Sequence, residues 1–182
     1  MILNLVDRRT SVPVAGSDAD WVARSMSLLE KLAARVGPPE WSVDLVLVDD
    51  DRMTGLNEGF RQAPGTTDVL SFSYLVAAED GDADLTTGSC YAAFDLKLDQ
   101  GEFTDDSAVV VGEIVLAPVF ISRRCRENDW PVDLEFPMLV VHGLLHVLGW
   151  DHLEDLERQA MQDIEEKVLG TVNLTHPLRQ RS

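Results

Sequence analysis

The stretch from Met138 to Leu148, MLVVHGLLHVL, leaves the chain few choices, because only His142 and His146 interrupt an otherwise apolar run. Such a segment reads as a buried helix. On a helix, four-residue spacing puts His142 and His146 on one face, one turn apart, where both can reach a single ion. Gly149 is the natural end of that helix, since glycine enters the left-handed conformation cheaply and lets the chain swing back. His152 can then close the site as a third ligand. Three neutral imidazoles suit one zinc ion in a catalytic arrangement, with the fourth position left to water or substrate. Three ordinary histidines are the plain alternative, but burying two charged imidazoles on a face of Leu and Val costs several kcal/mol. A structural zinc would favour four protein ligands and cysteine.

The spacing H-x3-H-x2-G-x2-H resembles that of the metzincin zinc peptidases, which carry a general-base glutamate directly after the first histidine. Here that position is Gly143. With glycine there and Asp151 before the last histidine, the motif resembles instead that of the YbeY family, metal-dependent endoribonucleases of rRNA maturation and ribosome quality control. Two further segments carry the resemblance in the family's order. Leu56-Asn57-Glu58-Gly59-Phe60-Arg61, followed by Thr67-Asp68-Val69-Leu70-Ser71-Phe72, is similar to the signature of a helix end, a short loop and a strand. Gly112-Glu113-Ile114 matches a strand motif. Ser73 stands where the family usually has proline, and Trp150 where it usually has tyrosine.

The resemblance implies an α+β fold with a mixed sheet of about four strands, helices packed against it, and the metal site at the end of a buried central helix. It implies one zinc ion on His142, His146 and His152, and a functionally important Arg61 that clamps phosphate. The substrate class it implies is single-stranded RNA rather than DNA: rRNA at the 3' end of 16S rRNA, with the ribosome or small ribosomal subunit as partner. Asp68, Ser71, Glu113 and Asp151 are supporting candidates. Glu113 and Asp151 qualify as general base by residue type alone. Thr67, Asp68 and Ser71 suit turn and strand hydrogen bonds, and Asp151-x-x-Glu154 has the form of a capping box.

The 182 residues read as a single domain, 45% hydrophobic, with an acidic insertion at about residues 77 to 108. The N-terminal MILNLVDRRTS lacks a basic leader and reads as a strand, and no apolar run has the length of a membrane span. The expected location is therefore the cytoplasm, with no membrane partner. Cys90 and Cys125 are too few for a disulfide framework and read as thiols. A net charge of −17 runs against RNA binding, which draws on Lys and Arg. Nine acidic residues and one lysine between 77 and 108 account for −8 of it, leaving −9 for the rest.

In chain order, residues 2 to 6 suit a strand. A helix capped by Ser17 or Asp18 runs through Trp21, Leu29 and Val36 to Gly37. Val43 to Val48 suits a covered strand, and Asp49 to Asp51 caps a second helix with Met53, Leu56 and Phe60 inward. Asp68 to Val76 and Ala108 to Ala117 read as two more strands. Pro118 then opens a helix to about Arg126, whose arginines 123, 124 and 126 form the densest basic cluster. Asp133, with Pro137 in the first turn, opens the histidine helix. Leu153, Leu156, Ala160, Ile164 and Val168 stripe a last helix ended by Gly170, and His176 falls in the tail. Two other functions fit parts of the pattern: a ribosome-assembly factor with a structural metal, and a zinc peptidase lacking its base.

Overall fold

The computed structural model describes residues 1–10, 21–75, 108–151 and 154–177. Nearly all of the acidic insertion, Cys90 within it, the expected cap at Ser17 or Asp18, and His152 lie outside the described residues.

Four strands form one mixed sheet: β1 (Ile2–Asp7), β2 (Trp41–Leu47), β3 (Val69–Ser73) and β4 (Val109–Leu116). Their order across the sheet is β1-β2-β4-β3. β1 and β4 run parallel to β2, and β3 runs antiparallel to β4 along one edge. Between the parallel strands β1 and β2 the chain returns through α1 (Trp21–Val36), as a parallel crossover requires. The later helices are α2 (Asp50–Leu56), α3 (Pro118–Glu127), α4 (Val132–Val147) and α5 (Asp155–Gly170). The expected α+β architecture is the one observed.

The larger core joins one face of the sheet to α1, α3, α4 and α5. Leu3, Leu45, Leu47, Ile114 and Leu116 from the strands meet Leu29, Leu32, Ile121, Phe136, Val140, Leu144, Met161 and Leu169 from the helices. Trp21 packs edge-on against Phe136, ring centres 4.4 Å apart, and its indole N–H donates to Ser122 Oγ at 2.9 Å. The other face carries a smaller cluster of Val46, Val48, Met53, Leu70, Val115 and Ala117, covered by α2. Most of α4 is buried, from Glu135 to Val147, which is why its sequence is apolar all round. Two glycines let this helix approach. A Cβ on Gly112 would sit 2.5 Å from the Phe72 carbonyl oxygen and 2.7 Å from a Val147 methyl. One on Gly143 would meet Ile114 Cγ2 at 2.9 Å and Ser71 Oγ at 3.0 Å.

Four local expectations are corrected. Phe60 points outward and is 67% exposed, because the helix widens into a π turn at Asn57–Arg61 and rotates that side chain off the core. Leu156 is 85% exposed, since the stripe on α5 begins only after its first turn. The capping box is formed by Glu154 and Glu157, not by Asp151 and Glu154: α5 starts three residues later than an Asp151 cap would require. Pro137 lies inside α4 rather than in its first turn, because the helix already begins at Val132. Among the described residues, no helix is long and apolar enough to cross a membrane.

Candidate active site

His142 and His146 lie in the last turns of α4, and their rings meet edge to face with Nε2 atoms 3.1 Å apart. Each ring is held from behind. His146 Nδ1 lies 2.8 Å from the Trp150 carbonyl oxygen. A carbonyl only accepts, so this Nδ1 carries the proton and Nε2 presents a lone pair. The carbonyl reaches the ring because Gly149, at φ 89°, closes α4 with a reversed turn. There the Trp150 N–H donates to Leu145 O and the Gly149 N–H to His146 O.

His142 Nδ1 lies 2.8 Å from Glu165 Oε1 of α5. Burial pushes the Glu165 carboxyl upward, but hydrogen bonds from His142 and His176 outweigh it, and the group sits below the usual carboxylate range. As a carboxylate it accepts from Nδ1, leaving a lone pair on His142 Nε2 as well. Two lone pairs facing each other at 3.1 Å repel unless a proton or cation lies between them. Two zinc bonds of usual length at a tetrahedral angle would separate the nitrogens by about 3.3 Å, so the pair fits a shared ion. Among the described residues no third ligand-type side chain joins them.

A cleft of about 580 Å³ opens over the histidines. It gathers Arg61, Asp68, Ser71 and Asp151 with His142 and His146, from elements far apart in sequence. Arg61 ends the π turn, and the next residue, Gln62, is held at φ 54°, a conformation that costs a non-glycine residue energy. Buried Asn57 secures this loop, its side-chain N–H2 donating to Ala63 O at 3.1 Å and Gly65 O at 2.9 Å. Arg61 itself is exposed and forms no ion pair among the described residues. Among the described residues it is the cleft arginine outside any ion pair, since Arg158, which also lines the cleft, pairs with Asp155 at 2.8 Å.

Asp68, also on the cleft wall, is held by several polar contacts. Its carboxylate accepts from Thr67 Oγ1 at 3.1 Å and the Val69 N–H at 2.9 Å, and it pairs with Arg124. Arg124 also reaches buried Glu135 at 3.4 Å, while Arg123 pairs with Asp50 at 3.1 Å. Two of the three arginines in the basic cluster are therefore tied to carboxylates. Glu113 is not brought to the histidines. It lines a second cleft with Phe60, Phe72 and Tyr74, because on β4 it alternates with Gly112 and Ile114, whose positions face α4.

Sequence reasoning missed Arg158, Glu165 and His176, which all line the first cleft. Arg158, Met161, Gln162 and Glu165 recur at helical spacing, a readable sign that one face of α5 turns toward the histidines. His176, expected to be a tail residue, is 4% exposed, its Nε2 2.9 Å from Glu165 Oε2.

Residues 8–173 match the family model described as Endoribonuclease YbeY. Three curated proteins of that name are similar to the chain. The one from Rhizorhabdus wittichii is 37% identical over 74% of this chain and 69% of its own length. That from Dinoroseobacter shibae is 33% identical over 93% and 91%, and that from Heliobacterium modesticaldum 31% identical over 96% and 97%. The matched span contains β2–β4, α1–α5, the π turn that carries Arg61, both facing histidines and Glu165. On these matches, the chain belongs to the endoribonuclease YbeY family.

Proposed function

We propose that the chain is a zinc-dependent endoribonuclease that cuts single-stranded RNA. Its substrates are the 3' end of 16S rRNA during maturation and rRNA in ribosome quality control, in the cytoplasm. Membership of an endoribonuclease family supports the reaction class. The metal reading rests on the two Nε2 atoms facing each other at 3.1 Å while both Nδ1 atoms are engaged elsewhere. His142, His146 and His152 would hold the ion, which when bound supplies Lewis acidity to a phosphate oxygen and to water.

The rest of the work falls to side chains. Arg61 grips the phosphate with its fork of N–H donors and stabilises charge that develops on it during cleavage. The Asn57 bonds and the strained Gln62 keep the loop after it from drifting. Ser71 and Asp151 offer polar atoms on the cleft wall. Of the two candidates for general base, Asp151 lines the cleft, whereas Glu113 lies across the sheet. The peptidase reading loses support at Gly143, where a glutamate would collide with the sheet.

The test is cleavage of a precursor of small-subunit rRNA by purified protein, beside Arg61→Ala and a chelated sample. The variant should lose roughly a hundredfold or more in rate, and chelation should abolish the activity. Full cleavage in both controls overturns the reading. No cleavage by zinc-loaded wild type that nevertheless binds ribosomes transfers it to the assembly factor.

A further inference from the structure

Glu165 is 3% exposed and lies between two imidazoles, with His142 Nδ1 at 2.8 Å from one oxygen and His176 Nε2 at 2.9 Å from the other. His176 is itself 4% exposed although it comes next to last among the described residues. We infer that His176 is a positioning residue for the metal centre: through Glu165 it locks the ring of His142, so that the C-terminal segment sets metal affinity. The inference rests on the proposed metal reading.

The argument follows from what a buried carboxylate needs. Each oxygen out of water requires a donor, or the group gains by turning toward solvent. Oε1 has the His142 N–H and Oε2 the His176 N–H, so the carboxylate plane is fixed at both ends. Fixing that plane fixes the His142 ring, since the Nδ1–H must point at Oε1 and Nε2 must then point at His146. Removing His176 leaves Oε2 without this donor and lets Glu165 rotate, taking the His142 lone pair away from the shared point. Loss of such support behind a metal ligand typically costs 10–100-fold in metal affinity.

The full-length protein, stripped of metal, is titrated with zinc against a chromophoric chelator. Wild type is compared with His176→Ala, His176→Phe and His176→Gln, whose amide N–H2 can replace the Nε2–H. Folding of each is checked by circular dichroism. Ala and Phe should bind zinc about 10–100-fold more weakly, and Gln should recover most of the loss. A merely structural role predicts the reverse order, with Phe filling the space better than Gln. Wild-type affinity in both Ala and Phe overturns the inference while leaving the metal reading intact. If wild type itself takes up no zinc, the metal reading and the inference fall together.

Discussion

Gly143 packs against Ser71 so closely that a Cβ on the glycine would stand 3.0 Å from the serine Oγ, and 2.9 Å from Ile114 Cγ2. The residue that separates this motif from that of the zinc peptidases is therefore also the contact through which α4 lies on β3 and β4. Gly143→Glu would write the peptidase motif into the sequence but force a charged side chain into that contact. It should destabilise the fold by about 3 kcal/mol or more through overpacking and burial of charge. That corresponds to a fall in melting temperature of roughly 6–12 °C. Thermal denaturation reads the loss, and a casein assay should stay negative. A stable variant that digests casein would contradict both statements.

Arg124 holds two carboxylates on separate elements, Asp68 before β3 and Glu135 in α4. Glu135 is 1% exposed, so Arg124→Met should cost about 3 kcal/mol by removing a cation from a buried charge. Adding Glu135→Gln should recover part of this loss. Urea denaturation of the two single variants and the double variant measures the coupling; strictly additive losses would show that the pair does not interact.

Tyr74 and Glu113 provide a spectroscopic check on where Glu113 points. Burial first, and then a hydrogen bond to Glu113, push the Tyr74 phenol up to about 12. An unfolded tyrosine ionises near pH ~10. Below that pH both states keep the proton and stability is unaffected. Between about 10 and 12 the unfolded chain releases a proton that the fold retains, so this contribution is lost as pH rises. Of the protein's two tyrosines, one should show late phenolate absorbance, lost in Tyr74→Phe and shifted to lower pH in Glu113→Gln. An unchanged titration in Glu113→Gln would mean that Glu113 faces elsewhere.

Ser73, where proline is usual in the family, donates its hydroxyl to the Val147 carbonyl at 2.7 Å. That oxygen belongs to the last turn of α4, which has no later amide within the helix to satisfy it. Ser73→Ala should cost about 1 kcal/mol, a drop of roughly 2–4 °C in melting temperature. No change would mean that water replaces the hydroxyl without loss.

Local chemistry was enough to read much of this protein from its sequence. The buried histidine helix, the reversal at Gly149, the proline that opens α3 and four strands in order all follow from periodicity and backbone preference over a few residues. Helical spacing alone put His142 and His146 on one face. What it left open were relationships between distant segments. Glu113 had the right residue type, but the alternation of β4 sent it to the other side of the sheet. Phe60 was turned outward by a π turn that helical periodicity cannot register. His176 and Glu165 lie 11 positions apart, and the first is 34 from His142; only the packing of α5 against α4 and the return of the tail make them neighbours. Backbone preferences act within a turn or two of the chain, whereas the second partner of a buried carboxylate is chosen by whatever the finished core leaves within 3 Å of it.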